Sequence, residues 1–369
     1  MSTESDNDSG NGHDPDHHGG ISRDSTSPVN ELSSHLESSP KRRRRRGRSE
    51  STVDRISKLS DHLLLHILSF LQIEDAIKTQ LLSKRWQYLW TYLPSLVFRS
   101  YRSDFVERDV FEFADFVDRT LTLCKCSKLK KFALNFRSSY DPRIETKVNL
   151  WTRFAVGKGT EVLHLHFNAS EDPMVVDCSY ELPRRLYSSS SFQELHFSLC
   201  RVTPKGVVGW NSLKKLSIGY VVLSDELIQK ILRGSPVLEI LELYYFQGVS
   251  HLHLSYASLK KLILREYWDD INNSDDSKLE ISAPYLQSLE MLGCLERKNC
   301  RLLDVSSLVD ATLSFDLRHE EDVLEDYERD QNILRRLLES LAHVKNITLG
   351  TWALQDSDDD GENGGLSKE

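Results

Sequence analysis

Large apolar side chains are scarce in the first fifty residues and then arrive in two different rhythms. The first is helical. Leu59, Leu63, Leu64, Ile67, Leu68 and Leu71 follow one another at steps of 4, 1, 3, 1 and 3, which puts them on one stripe of an amphipathic helix. Ser60 stands ahead of that stripe as an N-cap, with Asp61 in the first turn, where the helix dipole favours a carboxylate. A second short helix after Ile73 turns Ala76, Ile77, Leu81 and Leu82 inward. A third places Trp86, Leu89, Trp90 and Leu93 at i, i+3, i+4 and i+7 and is interrupted by Pro94. Three helices in about forty residues make a small core. Two tryptophans and this many leucines exceed what it can hide, leaving an apolar face for a partner or a neighbouring domain.

The second rhythm is a repeat. The template L-x-x-L-x-L occurs as Leu129-Phe132-Leu134, Phe192-Leu195-Phe197, Leu213-Leu216-Ile218, Leu238-Leu241-Leu243, Leu259-Leu262-Leu264, Leu286-Leu289-Met291 and Val344-Ile347-Leu349. Thr160-Leu163-Leu165 and Leu308-Ala311-Leu313 are poorer copies. Between the middle residues from Leu195 to Ala311 the gaps are 21, 25, 21, 27 and 22, within the roughly 20–29 residues of a leucine-rich repeat. The outer gaps of 31, 32 and 36 imply insertions. Asn168, Cys200 and Cys294 each fall three residues after a template, where such repeats place Asn or Cys to satisfy the turn. Helical returns are expected at Leu223–Gly234, with Leu227, Ile231 and Leu232 inward, and at Glu321–Ala342, with Leu324, Leu334, Leu337, Leu338 and Leu341 inward. A further helix, Phe105–Cys124, would join the two regions and pack them rigidly through Phe113, Phe116, Val117, Thr120 and Leu121. The fold expected is α+β or α/β: a three-helix module, then a degenerate solenoid with a parallel sheet, between disordered termini. The boundaries are a 1–50 arm, a 51–96 helical module, a 97–127 linker packed on the repeats, 128–354 repeats and a 355–369 acidic tail.

Composition adds the termini and the compartment. The first fifty residues are Ser-, Asp-, Gly- and Asn-rich and cannot bury enough apolar surface to offset their ordering entropy. Within them Lys41, Arg42, Arg43, Arg44, Arg45, Arg46 and Arg48 form a dense basic block, although the net charge of the chain is −9. That balance argues against nucleic-acid binding by the folded body. The block reads first as a nuclear import signal, with a nucleic-acid arm or a merely solvated charge run as the alternatives. No apolar run approaches the roughly 20 residues that cross a bilayer, and the polar start has no secretory core. The expected setting is the nucleus, with the cytoplasm as a secondary location. The six cysteines include no C-x₂-C pair, which argues against a zinc ribbon or RING centre and for free thiols.

The run L-S-D-H-L-L-L-H-I-L-S-F-L from Leu59 to Leu71, followed by D-A-I-K-T-Q-L-L-S-K-R-W-Q-Y-L-W to Trp90, resembles the F-box, particularly its plant branch. The order FVDRTLTLCKCSKLKKFALNF, from Phe116 to Phe136, resembles the junction of plant F-box/leucine-rich-repeat proteins. The resemblance implies docking on the Skp-type adaptor, and through it the cullin, of an SCF ubiquitin ligase. It puts Leu59, Leu63, Leu64, Ile67 and Leu68 in or near that contact. Leu81, Leu82, Ser83, Trp86, Leu89 and Trp90 complete it or support it from behind, the tryptophans leaning toward core. One departure stands out: Leu59-Ser60 replaces the family's usual Leu-Pro, which puts the rigidity of that corner in doubt.

Nothing in the sequence assembles a catalytic centre: there is no phosphate loop, nucleophile elbow or paired acid motif. His13, His17 and His18 lie in the polar arm and read as a solvated tract. His164, His166 and His196, with Ser217, Glu242, Lys261 and Glu290, point outward from the strands; the histidines read as aromatic-polar surface rather than a metal site, and no cofactor is expected. The function expected is therefore a non-catalytic substrate receptor whose F-box holds the ligase and whose repeats hold an unknown target protein on a face the sequence does not identify. The alternative is a repeat scaffold acting outside a ligase.

Overall fold

The computed structural model describes residues 55–101, 109–136, 142–167, 180–267, 278–293, 299–315 and 324–350. The N-terminal arm with its basic block, the acidic tail, Asn168, Cys178 and Cys294 lie outside them.

The first module holds α1 (Asp61–Leu68) and α2 (Ile73–Lys78). Its third segment is not an α-helix. Turns lead into a 3₁₀ helix, Leu89–Tyr92, and amides bond three residues back: Trp86 to Ser83 at 3.0 Å, Thr91 to Tyr88 at 3.1 Å, Leu93 to Trp90 at 3.1 Å. Four aromatic residues and Thr91 crowd the stretch from Trp86 to Leu93 and hold helical backbone poorly, while both tryptophans are buried, so burial overrides the helical spacing. Ser60 occupies the N-cap of α1 in extended conformation, but its side chain accepts no capping bond. Arg85 braces that corner instead. Its guanidinium donates to Asp61 Oδ1 at 2.6 Å and to the Leu59 carbonyl at 2.5 Å.

The chain then alternates strands and helices: β1 (Ser95–Arg99), α3 (Val110–Leu123), β2 (Lys131–Asn135), α4 (Glu145–Gly157) and β3 (Val162–His166). There follow β4 (Tyr180–Glu181), α5 (Arg184–Tyr187), β5 (Glu194–Ser198), β6 (Cys200–Arg201), β7 (Lys215–Val222) and α6 (Asp225–Arg233). After β8 (Ile240–Gln247) the returns carry short strands: β9 (His251–His253), then β10 (Lys261–Tyr267) with β11 (Lys278–Ser282) and β12 (Ser288–Gly293) with β13 (Asn299–Asp304). Finally come β14 (Asp310–Phe315), α7 (Leu324–Ser340) and β15 (Asn346–Leu349).

Ten strands form one parallel sheet in the order β1-β2-β3-β5-β7-β8-β10-β12-β14-β15. The register follows the template: Phe132, Leu163, Leu195, Leu216, Leu241, Leu262, Leu289, Ala311 and Ile347 stand opposite one another across consecutive strands. A repeat solenoid built on a parallel sheet is thus what the chain adopts. The sheet starts one strand before the first template copy named above: β1 pairs Leu96 with Phe132 and Phe98 with Leu134, and Leu93-Leu96-Phe98 is itself a copy of the template. Leu96 and Phe98 are buried, and α3 separates them from the next strand.

The buried apolar residues from Leu64 to Leu341 form one continuous core, so the helical module and the sheet share it. The Lys125 amide donates to the Thr91 carbonyl at 2.8 Å across that junction. Asp118 of α3 fixes α4 by accepting from Trp151 Nε1 at 2.7 Å and Lys147 Nζ at 2.6 Å. At α6 the Ser224 hydroxyl caps the Leu227 amide, and Ile228, Ile231 and Leu232 are buried, with Leu227 only partly so.

A short second sheet, β13-β11-β9, lies along the returns and was not expected from the pattern. Leu199, just past β5, and Tyr220 and Tyr245, within β7 and β8, take left-handed backbone at φ 53, 49 and 46°, a strained region for side chains of this size. Gly219 sits beside this line because a Cβ there would lie 2.0 Å from the Tyr244 ring.

Candidate docking surfaces

The module at 55–93 divides its apolar residues sharply. Leu64, Leu68, Trp86, Leu89 and Trp90 are buried, Leu59 is half-buried and Ser83 is exposed. Leu63 and Ile67, one helical turn apart on α1, are 46% and 41% exposed, and Leu81 and Leu82 are 84% and 67% exposed. Phe70 at 76%, Leu71 and Ile56 add to the same short stretch. Of these, Ile56 and Phe70 were not singled out in the sequence. A phenylalanine just past the end of an amphipathic stripe gives no sign of which way it faces. Large apolar side chains this exposed and this closely spaced in sequence mark an interaction surface. The inward face assigned to Leu81 and Leu82 is therefore corrected. The chain passes from α2 into a 3₁₀ turn, Thr79–Leu81, which changes the residue period and rotates both side chains to solvent.

The second surface is the open face of the long sheet. Across it run Ala133, His164, His196, Ser217, Glu242, Ile263, Glu290, Thr312 and Thr348 in register. Ser217 and Ile263 are buried even here, at 2% and 7% exposed, so Ser217 is not the surface group its outward position suggests. The charges are paired: Lys261 Nζ lies 2.6 Å from Glu290 Oε1, and Arg265 Nε 3.0 Å from Glu242 Oε1.

The histidines separate. The His164 and His196 rings pack at 4.0 Å between centroids. His166 turns away to Ser198, Nδ1 to Oγ 2.8 Å. Burial first, then the neighbouring His196, Lys131 and Lys215, push His164 down to about 3; burial, then Lys215, lowers His196. Both imidazoles are neutral at neutral pH. Cys126 and Cys200 are buried thiols, and Cys200 Sγ donates to the Ser198 carbonyl at 3.4 Å, as a turn-satisfying residue should. Among the described residues no helix is long and apolar enough to cross a membrane.

The F-box domain family matches residues 56–98, the stretch that carries the exposed apolar set and β1. The leucine-rich repeats described for FBD-associated F-box protein At5g56370 match residues 148–317. F-box protein At5g03100 from Arabidopsis thaliana is 31% identical over 316 residues, 84% of this chain and 92% of its own length. The chain is an F-box/leucine-rich-repeat protein. F-box/LRR-repeat protein At5g02910 from the same plant is 35% identical over 314 residues, 84% of this chain and 62% of its own length. F-box/LRR-repeat protein At3g03360 is 31% identical over 307 residues, covering 59% of its length. The F-box/leucine-rich-repeat chain thus spans about three-fifths of several of the curated relatives it matches.

Proposed function

We propose that this F-box/leucine-rich-repeat chain is the target-recognition subunit of an SCF-type ubiquitin ligase. The exposed Leu63, Ile67, Leu81 and Leu82 of the matched F-box carry that reading, because they are the apolar surface a Skp-type adaptor would cover. Leu64, Leu68, Trp86, Leu89 and Trp90 support the surface from behind. The repeats hold the target protein, and the mechanism is positional: binding both at once raises the target's effective concentration beside the ubiquitin-loaded enzyme. The chain itself contributes no bond-making group to the transfer.

The test is affinity purification of the full chain from cells with the proteasome blocked. The adaptor, a cullin and an accumulating target are expected together, and Leu63→Asp/Ile67→Asp should lose the first two, retain the target and, in cells with an active proteasome, lengthen its half-life. Retention of adaptor and cullin by that variant would refute the assignment. A repeat scaffold working outside a ligase would bring down a partner with no adaptor and no change in half-life.

Residues 41–48, outside the described residues, are proposed as the nuclear import signal. A reporter fused to residues 1–50 should concentrate in the nucleus and disperse when Arg42 to Arg46 become Ala; a reporter cytoplasmic from the outset would contradict this.

A further inference from the structure

Two imidazoles and a carboxylate meet on the open face of the sheet. His164 and His196 are direct cross-strand partners on β3 and β5, and Glu194 lies two residues before His196 on the same face. One donor atom from each lies within 4.8 Å of the other two, and His196 Nε2 stands 3.9 Å from Glu194 Oε2. His164 Nε2 is buried and has no hydrogen-bond partner among the described residues. A buried ring nitrogen without a partner is rare, because its desolvation goes uncompensated, and each such case calls for an explanation such as a missing ion.

We propose that His164, His196 and Glu194 form a binding site for one divalent transition ion of the zinc class. Imidazole nitrogens with one carboxylate suit zinc and its first-row neighbours, whereas calcium and magnesium prefer all-oxygen sites. Zinc–ligand distances of about 2.0–2.2 Å hold tetrahedral donors roughly 3.4 Å apart, so the cluster closes by about an ångström. The Glu194 side chain, 46% exposed, is free to move that far. The fourth position faces outward, open to water or to a donor from a protein bound on this face. Lys131 and Lys215, which face the cluster from β2 and β7, oppose a dication; Glu242 on β8 acts on His196 in the opposite sense. His166 is already held by Ser198 and stays outside the site.

The test uses the full chain carrying His13→Ala, His17→Ala, His18→Ala and His35→Ala, stripped by chelation, so that the arm supplies no imidazole. Calorimetric titration with Zn²⁺ should show one equivalent bound, and Co²⁺ should give a visible d–d band without thiolate charge transfer. Glu194→Gln and His164→Ala should each weaken binding at least tenfold, with His166→Ala unchanged. Glu194→Gln alters no volume on a half-exposed side chain, so it decides the matter even where a histidine variant folds poorly. Absence of zinc uptake, an affinity indifferent to Glu194→Gln, or a loss in His166→Ala equal to that in His164→Ala would each overturn the proposal.

Discussion

Leu63 and Ile67 stand one turn apart with close to half of each side chain in water, while Leu64 and Leu68, each one residue further along, are fully buried. Helical geometry makes that separation, since adjacent residues are 100° apart around an axis of 3.6 residues per turn. The same contrast of neighbours governs the histidines. His164 is neutral down to a pH of about 3, below the ordinary imidazole value. As pH falls through about 6.5, the unfolded chain takes up the proton first, so the stability this group contributes is complete above that pH and is lost progressively toward about pH 3. In chelated protein the melting temperature should therefore fall from pH 7 to pH 4.5, and His164→Gln should fall less steeply. Equal slopes would show that His164 is not the buried neutral ring described.

At the scale of elements, the strands hold the molecule. Leu241 is buried between Leu216 and Leu262 in the register of the sheet. Truncating such a leucine leaves a cavity and costs about 2–5 kcal/mol. Leu241→Ala should lower the denaturation midpoint accordingly, and a harmless substitution would show that the strand is out of register. This register was legible in sequence because every inward position of a solenoid strand must meet an inward position of its neighbours, which forces the template to recur. The first strand is overlooked although its template, Leu93-x-x-Leu96-x-Phe98, is complete: Leu93 also closes the helical spacing that starts at Trp86, and Pro94 inside the copy reads as a helix stop rather than as part of a strand repeat. The β13-β11-β9 sheet was not legible either, although its pattern exists. Leu252-x-Leu254, Leu279-x-Ile281 and Cys300-x-Leu302 alternate at period two, and the turns after them return at Tyr256, Ala283 and Val305, each accepting from the amide three residues on. Strands of three to six residues are too short for that alternation to stand out against helical spacing. In the F-box, the positions were legible but their exposure was not, because a leucine at a helix edge reads the same in sequence whether it faces core or solvent.

For the whole molecule, one core from Leu64 to Leu341 means that whatever docks on the F-box is held rigidly with respect to the sheet. Rigidity suits a receptor that must present its target at a fixed distance from a ligase. The paired charges Lys261–Glu290 and Arg265–Glu242 stiffen the open face further, so reversing either member disturbs its partner as well as any target. The central claim is that the exposed leucines and isoleucine of the F-box are a binding surface. It is tested most directly by calorimetry of the purified full chain against a purified Skp-type adaptor. The account predicts a stable complex of standard interface size, roughly 1,200–2,000 Å², weakened at least a hundredfold by Leu63→Asp/Ile67→Asp with the melting temperature unchanged. Undiminished affinity in that variant, with the fold intact, would contradict it.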